Sequence, residues 1–385
     1  MSFVTKEAIA AGFGIECASR LELANAMRNG CDPAKVVFDA PAKTLHEIRY
    51  SLQHGVCLNC NSLDELARVA KVYDEMGGAT ASRIGIRVNP LVGAGDIAAL
   101  SVSTANSKFG ISDLEAVKDS FAAHPWLSML HVHVGSQGCS LDMLASGAGL
   151  IANLADEING AAGREQVSVL DIGGGLPADY NSCDDSPSFE EYAEVLRVHA
   201  PQLFDPARAP GSVITEFGRA LSAKSASLVS AVEYTMHRES PTQLAIIHAG
   251  SDLFVRPCYA PASFYHRVSA YGPRGSALLA DMTAFADHKD VFDPAGEREL
   301  ATHDIAGPMC FAGDVVARGV QLPQLDVGDW VLVHDCGANT MGLFSRHCSR
   351  PTPPVFGYTQ TSGDDYDITM LKRPESDESV LAFWD

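Results

Sequence analysis

Residues 169–175 read VLDIGGG, a short apolar run that ends in three consecutive glycines. Similar β-rich runs recur over the first 220 or so residues, and the stretches between them have apolar residues at helical spacing. Two of these stretches follow Ser19 and Ser62, residues of the type that caps helix N-termini. Such alternation of strand and helix is typical of parallel βαβ units. The seven runs are GIECAS (14–19), KVVFDAP (35–41), VCLNCNS (56–62), RIGIRVNP (83–90), LHVHVGS (130–136), VLDIGGG (169–175) and VITEFGR (213–219).

The late position of the glycine turn decides between two folds. A doubly wound open sheet normally carries its Gly-rich phosphate loop after the first strand, whereas here the glycines follow the sixth run. A (β/α)8 barrel has eight strands and often binds phosphate in the loops after strands 7 and 8. The runs 169–175 and 213–219 occupy those places if one strand precedes residue 1. The sequence therefore predicts an α/β fold, a (β/α)8 TIM-like barrel that lacks its first strand.

A second domain is indicated where the helical stretches stop. After residue 225, runs such as QLAIIHAG and DWVLVHDCG read as strands joined by turns. We therefore expect a barrel domain over residues 1–235 and a mostly β domain over residues 236–385. The polar stretch 284–304 is expected to be a loop between strands.

The composition excludes several classes of partner. The 385 residues carry a formal net charge of −20, which repels a phosphate backbone, so we expect no nucleic acid. No apolar run is as long as a membrane span, and the start lacks a signal-peptide pattern, so we expect no membrane contact and a cytoplasmic location. The lone CxxC of Cys57 and Cys60 has no second pair at zinc-ligand spacing, and free thiols are expected.

Two motifs offer groups that suit a phosphate. Gly173, Gly174 and Gly175 let backbone N–H groups approach an anion closely, although a tight turn alone also explains three glycines. Arg219, in TEFGR, offers a planar fork of donors. Both motifs end a predicted strand, so they support a phosphate site at one end of the barrel.

A histidine pair admits a different chemistry. His131 and His133 lie two residues apart, so both face the same side of a strand. Metal-dependent hydrolase barrels use such a pair together with histidines on later strands, and none follows in VLDIGGG or VITEFGR. We therefore expect no metal and interpret the pair as packed or cofactor-stacking side chains. Cys310 and Asn339, taken alone, read as a buried thiol and a loop residue.

Nine motifs together carry a resemblance to a known family. They are IECAS, VVFDAPAKT, IRVNP, SKFG, HVHVGSQ, DIGGGLP, TEFGRAL, AGPMCFAGDV and GDWVLVHDCGA. In this order, which spans nearly the whole chain, they resemble the fold-III pyridoxal-phosphate (PLP) decarboxylases, which include ornithine, arginine and diaminopimelate decarboxylases. The spellings VSTANSKFG and HVHVGSQGC look closest to a bacterial-type subgroup of that family.

The resemblance implies a PLP-dependent amino-acid decarboxylase with an alanine-racemase-like barrel and a C-terminal β domain. His133 would stack on the cofactor ring. Glu216 would keep the pyridine nitrogen protonated, which makes the ring an electron sink. The phosphate would be held by Ser136, Gly173, Gly174, Gly175, Gly218 and Arg219.

The resemblance also implies a head-to-tail homodimer with active sites at its interface. Cys310 would reach into the site of the partner subunit as the general acid that returns a proton to the substrate carbon. Lys108, in SKFG, would pair across the dimer with Asp314. Both roles depend on the dimer.

Three departures from the family pattern bear on activity and substrate. The family's cofactor-binding lysine would lie upstream of Met1, so we expect an N-terminally truncated chain. A phosphate-contacting tyrosine of the family falls at Asn339. An acid that reads a distal ammonium in diaminopimelate decarboxylases falls at Phe311. Arg256 matches an arginine that can bind a distal carboxylate, and a surface or interface ion pair explains it equally well.

Three functions therefore stay open. The first is a decarboxylase that acts on an L- or D-amino acid. The second is a lysine-less pseudoenzyme or PLP-binding protein. The third and least favoured is the metal-dependent hydrolase barrel. Without the lysine we expect poor turnover by the chain as written, because the incoming amine has no group to exchange with.

Overall fold

The computed structural model describes residues 2–207, 210–236, 240–275, 277–280, 298–363 and 365–385. The chain divides into two compact units. The first comprises Met1–Pro177 and Pro187–Gly218, and the second comprises Ala178–Ser186 and Arg219–Asp385.

The first unit is built on a parallel sheet of seven strands, one in each predicted run. The strands are β1 (Ile15–Cys17), β2 (Val36–Phe38), β3 (Cys57–Cys60), β4 (Ile84–Val88), β5 (Leu127–Val132), β6 (Val169–Asp171) and β7 (Ser212–Ile214). They pair in sequence order, and within the described residues β1 and β7 each pair with one strand. In the part of the chain that the structure describes, no pairing closes this curled sheet between β1 and β7.

Helices connect these strands. They are α1 (Ser2–Ala10), α2 (Arg20–Arg28), α3 (Leu45–His54), α4 (Leu63–Glu75), α5 (Leu114–Ala123), α6 (Leu141–Ala162) and α7 (Phe189–His199). The predicted N-caps are confirmed, because the Ser19 side chain accepts the N–H of Glu22 and the Ser62 side chain accepts that of Glu65. The strands β2, β3 and β4 are buried along their whole length, which explains why they read as continuous apolar runs.

Among its described residues, the second unit contains a mixed sheet, a hairpin and three short α-helices. The sheet order is β11-β10-β14-β8-β9-β12-β13, antiparallel except for the parallel pair β9 and β12. Its strands are β8 (Leu228–Met236), β9 (Gln243–Ile247), β10 (Val268–Tyr271), β11 (Ala277–Ala280), β12 (Leu300–Ala306), β13 (Val315–Pro323) and β14 (Trp330–Val333). The hairpin is β15 (Val355–Ser362) and β16 (Asp365–Lys372), and the helices are α8 (Gly218–Ser222), α9 (Val255–Tyr259) and α10 (Asp377–Ala382).

The division between the units falls earlier than the expected boundary after residue 235. Strand β8 hydrogen-bonds to β14 and β9, so it belongs to the second sheet, and residues 178–186 also join the second unit. The expected loop 284–304 lies partly outside the described residues. Its described end contains the start of β12, which pairs with β9 and β13.

Two simpler expectations can be compared directly with the structure. All ten cysteines are free thiols, and Cys57 and Cys60 are buried. Among the described residues, no helix combines the length and hydropathy that a membrane crossing requires.

Candidate active site

Three predicted residues come together where the strands β5, β6 and β7 end. His133 directly follows β5, and its Nδ1 lies 3.5 Å from Oε2 of Glu216, which follows β7. His131, two residues earlier, is fully buried, and its Nε2 lies 3.8 Å from the same oxygen. The expectation that both histidines face one side of the strand is therefore met, with Glu216 as their common neighbour.

The glycine turn packs directly against these side chains. The Gly174 N–H donates to His133 Nδ1 over 3.1 Å, and the Glu216 N–H donates to the Gly173 carbonyl over 2.8 Å. A Cβ on Gly174 would lie 2.4 Å from the Glu216 carbonyl oxygen, and one on Gly173 would lie 2.2 Å from that of Val132. Glycine is required here for close approach of neighbouring backbones. Because His133 Nδ1 accepts a hydrogen bond, the proton of the neutral ring lies on Nε2.

Behind Glu216 lies a chain of buried charges that crosses the sheet. Nη1 of Arg87, on β4, donates to Asp39 Oδ2 over 2.7 Å, and Asp39 Oδ1 lies 3.2 Å from His131 Nδ1. His131 in turn faces Glu216. The four side chains are between 0% and 9% exposed. Charges this far from water are retained only when they are paired.

The register of the sheet explains how these side chains meet. Arg87 on β4 pairs with His131 on β5, and His131 pairs with Asp171 on β6. Register partners in a parallel sheet point to the same side, so the three side chains form one layer. Because all three side chains are buried, water weakens the electrostatic interactions between them only slightly.

The charges of this cluster set each other's protonation. Burial alone would lower the pKa of the His131 imidazole, but the negative charges of Asp39, Asp171 and Glu216 raise it to about 9. Burial alone would raise the pKa of the Asp39 carboxyl, but His131 and Arg87 hold it below its usual value. For Glu216 too, burial opposes ionisation, but His131 and then His133 together outweigh it, so the pKa of Glu216 is lowered.

The pKa values of two further acids of the cluster are shifted in the opposite direction. Burial, followed by the negative charge of Glu216, raises the pKa of Asp171 well above its ordinary value. Burial and the charges of Glu216 and Asp39 do the same for Glu16 on β1. Burial and mutual repulsion thus disfavour ionisation of Asp171 and Glu16, whereas the neighbouring cations favour ionisation of Asp39 and Glu216.

Glu216 retains unused hydrogen-bonding capacity. Its Oε1 is buried and has no hydrogen-bond partner. A buried carboxylate oxygen without a donor is costly, which points to a donor that a bound group brings. A ring N–H of PLP supplies such a donor, and the glycine turn beside His133 offers close backbone approach, so the residues present fit this cofactor.

The second unit contains the two predicted arginines. Arg219 Nη1 donates to the Tyr180 hydroxyl over 3.1 Å. Arg256 Nη1 is buried without a hydrogen-bond partner. Burial, followed by the positive charge of Arg219, lowers the pKa of the Arg256 guanidinium, which lies 5.2 Å from the Phe264 ring centroid. A buried guanidinium with an unused donor suits an anionic group.

Cys310 and Phe311 lie on a turn before β13. The expectation of a buried thiol for Cys310 is wrong, because the residue is exposed. The Phe311 ring stacks on Tyr259, with ring centroids 4.7 Å apart and an angle of 15° between the planes. A thiol open to its surroundings is compatible with a role toward a bound molecule.

Asp314, the expected partner of Lys108, is buried within the second unit. Its carboxylate accepts the backbone N–H groups of Ser251 and Met309. The side chain of Lys108 lies with its Nζ 5.1 Å from the Phe109 ring centroid. A cross-subunit pair would have to compete with the backbone donors that already hold Asp314.

The remaining predicted residues lie in turns. Asn339 is exposed, with φ of 55°, a left-handed conformation that asparagine tolerates better than most residues. The Ser136 N–H donates to the Leu100 carbonyl, and the Gly218 N–H donates to the Glu216 carbonyl. Gly218 thus lies directly beside the cluster in the first unit.

Sequence reasoning missed Asp39, Arg87 and the role of His131. A signal existed, because Arg87 and Asp39 stand within or directly after strands that are otherwise apolar. A charged residue in a buried strand needs a partner of opposite charge. The identity of that partner depends on the register of the strands.

Comparisons with known proteins agree with the fold. Residues 3–223 match a family model described as pyridoxal-dependent decarboxylase, pyridoxal binding domain. The chain is 30% identical over 385 residues to diaminopimelate decarboxylase of Neisseria meningitidis, with 98% of this chain and 84% of the relative covered. It is 27% identical over 376 residues to diaminopimelate decarboxylase of Helicobacter pylori, with 96% and 82% covered.

Solved structures show the same fold. Diaminopimelate decarboxylase from Helicobacter pylori complexed with L-lysine superposes with a TM-score of 0.81 at 22% identity, covering 100% of this chain and 87% of that one. The arginine decarboxylase of Paramecium bursaria Chlorella virus gives a TM-score of 0.70 at 18% identity, covering 90% and 83%. The predicted barrel with an added β domain is therefore confirmed.

Fold and site together define a barrel enzyme that works through a bound organic cofactor. The family match covers more than half of the chain, and the chain belongs to the pyridoxal-dependent decarboxylases. The predicted cofactor, PLP, and the predicted reaction class, a carboxy-lyase, are confirmed at the level of the family. This sets the metal-dependent hydrolase aside, although ligand-type atoms of His131, His133 and Glu216 lie within 4.8 Å of one another.

Proposed function

We propose that this chain decarboxylates an amino acid at a PLP site whose ring end is formed by His133 and Glu216. The observation that carries the proposal is the buried, ionised Glu216 with an unused Oε1 beside the His133 ring. When bound, PLP supplies an electron sink for the electron pair left behind as CO2 departs.

Glu216 has the clearest part in this proposal. Its lowered pKa keeps it a carboxylate, so Oε1 can accept an N–H from the cofactor's ring nitrogen and favour the protonated ring. His133, partly exposed and held through Nδ1 by the Gly174 N–H, has a fixed ring plane against which a flat ligand can stack. These two side chains bind and orient the ring.

The residues that would bind the phosphate group of PLP are proposed from their chemical type. Backbone N–H groups of the turn formed by Gly173, Gly174 and Gly175 suit an anion. The family resemblance adds Ser136, Gly218, Arg219 and Asn339, which stay predictions. Asn339 in place of tyrosine keeps a polar group but has a shorter side chain.

The substrate class follows from Arg256 and Phe311. The relatives are named for diaminopimelate, but Phe311 offers a distal ammonium no charge, and its ring already stacks on Tyr259. Arg256 has a buried, unused donor that suits a carboxylate. We therefore propose an amino acid whose far end is anionic or polar, and not a simple ammonium.

The proton step and the assembly are proposed together. Cys310 is exposed, so in a homodimer it can return a proton to the substrate carbon in the site of the partner subunit. The pairing of Lys108 with Asp314 is left out of this proposal, because backbone N–H groups hold Asp314. A cytoplasmic location stays a prediction.

Titration of the purified protein with PLP, followed by absorbance, tests the cofactor site. We expect saturable binding that weakens by about 100-fold in Glu216→Ala, since a charge-assisted hydrogen bond in a buried site is lost. Glu194→Ala, an exposed acid on α7, is the matched control and should bind as the parent does. Equal binding by Glu216→Ala would contradict the proposed ring site.

Decarboxylation is tested by CO2 release from a panel of amino acids with anionic, neutral and cationic far ends. Against the low turnover expected from the sequence, substrates with a distal carboxylate should give the highest kcat/KM. Binding of PLP with no CO2 release from any member would favour the PLP-binding protein. Efficient turnover of lysine or ornithine would contradict the assigned substrate class.

A further inference from the structure

The chain of charges behind Glu216 has no part in the proposed function so far. His131 faces Oε2 of Glu216, not the unused Oε1, and it connects Glu216 through Asp39 to Arg87. His131 is completely buried. A buried imidazole between two carboxylates is an expensive arrangement, so its protonation state decides the charge of its neighbours.

We propose that His131 is a positioning residue that, as an imidazolium held between Asp39 and Glu216, keeps Glu216 ionised and turned toward the cofactor ring. The inference rests on the proposed function for its consequence at the ring. It does not require that function for the state of His131 itself, which the protein has without any ligand.

The geometry favours the doubly protonated ring. Nδ1 lies 3.2 Å from Asp39 Oδ1, and Nε2 lies 3.8 Å from Glu216 Oε2. A neutral imidazole has one N–H, so its other nitrogen would present a lone pair to a carboxylate oxygen. Only the imidazolium has an N–H on each side. Neither contact has the alignment of a full hydrogen bond, so the attraction is mainly that of charges.

The surrounding groups leave the charges balanced. Arg87 and His131 supply two positive charges, and Asp39 and Glu216 supply two negative ones. The acids that face the cluster from β1 and β6, Glu16 and Asp171, have pKa values raised by burial and by Glu216, so their ionisation is disfavoured.

The other neighbours of the cluster do not upset this balance. Lys43 lies near Asp39, but its Nζ is paired with Glu65 at 3.0 Å. Burial raises the pKa of the Cys57 thiol, which therefore stays neutral. His133, whose Nδ1 accepts the Gly174 N–H, lies 3.5 Å from Glu216 Oε2 and helps to lower the pKa of Glu216, after His131.

The state of His131 can be measured without cofactor. In protein labelled with 15N-histidine, the His131 signals, identified by their loss in His131→Gln, should show two protonated nitrogens at pH 7 and up to about pH 8. Asp39→Asn should lower the His131 titration midpoint by at least one pH unit. Asp119→Asn, an exposed acid on α5, should leave it unchanged. A His131 ring that is neutral at pH 7 would overturn the inference.

The action of His131 through Glu216 is tested by a double-mutant cycle on the PLP dissociation constant. His131→Gln should weaken binding about tenfold at pH 8, but by less than about twofold in a Glu216→Gln background, because the charge it maintains is already gone. Equal losses in both backgrounds would overturn the role. If His131→Gln fails to fold, Asp39→Asn replaces it in the cycle. If the parent binds no PLP, the proposed function fails, and the labelled spectra still decide the state of His131.

Discussion

Gly174 lies where two strand ends meet, and a methyl group has no room there. An added Cβ would come within 2.4 Å of the Glu216 carbonyl oxygen and 3.3 Å of the His133 ring. The backbone must shift to relieve this contact. A shift here moves the two side chains that form the proposed ring site.

We expect Gly174→Ala to destabilise the protein by about 1–3 kcal/mol and to weaken PLP binding. Gly160→Ala is the matched control, because Gly160 lies inside α6 with no atom near its Cβ position. It should stabilise the protein by about 0.5–1 kcal/mol. Denaturant unfolding of both variants checks the pair, and a neutral Gly174→Ala would contradict the packing argument.

Phe311 is the residue on which the substrate class depends most. Phe311→Asp should raise kcat/KM for amino acids with a distal ammonium relative to those with a distal carboxylate, by about tenfold, since an ion pair then replaces an unpaired charge. Phe311→Leu keeps the site apolar and is the control for the lost stacking on Tyr259. An unchanged ratio in Phe311→Asp would show that this side chain does not contact the substrate.

At the scale of elements, the charged cluster ties neighbouring strands together. Asp39 follows β2, Arg87 lies on β4, His131 on β5 and Asp171 on β6, and Glu216 follows β7. Their attraction therefore adds to the hydrogen bonds between strands. Its strength depends on pH because each contact needs a particular proton state.

This dependence gives a stability prediction. The pKa of His131 is raised to about 9 in the fold, so its contribution is fully present below the unfolded value near 6.5 and is lost as pH rises through about 9. The Tm of the parent protein should therefore fall further between pH 6.5 and pH 9.5 than the Tm of the His131→Gln variant does. The comparison with the variant is needed because the raised pKa values of Asp171 and Glu16 also favour the fold at lower pH. Parallel Tm curves for both proteins would contradict the prediction.

At the scale of the whole molecule, the homodimer is the main proposal to test. If Cys310 acts in the partner subunit's site, Cys310→Ala and Glu216→Ala disable different halves of one composite site. Refolding the two inactive variants together in equal amounts should restore about a quarter of the parent activity, because half of the dimers are mixed and each has one intact site. Each variant refolded alone is the control. No recovery in a mixture that sedimentation shows to be dimeric would place Cys310 in the site of its own subunit.

The sequence alone was sufficient for the order of the strands, the class of fold and the cofactor. Strands buried on both faces read as apolar runs of five or so residues, and the N-caps Ser19 and Ser62 marked the helices between them. The position of the glycine turn late in the chain separated a barrel from an open sheet. These features are local in sequence, so they are visible without coordinates.

Tertiary structure decided the rest. The expected boundary after residue 235 left strand β8 with the barrel domain, but its hydrogen bonds place it in the second sheet. Asp314 was expected to pair with Lys108 across a dimer, but it is buried within the second unit and accepts backbone N–H groups there. The network of Arg87, Asp39 and His131 joins residues from three strands, and its charges depend on burial and on distances of 2.7–3.8 Å. Such energies come from separations across the sheet, which only the register of the folded strands determines.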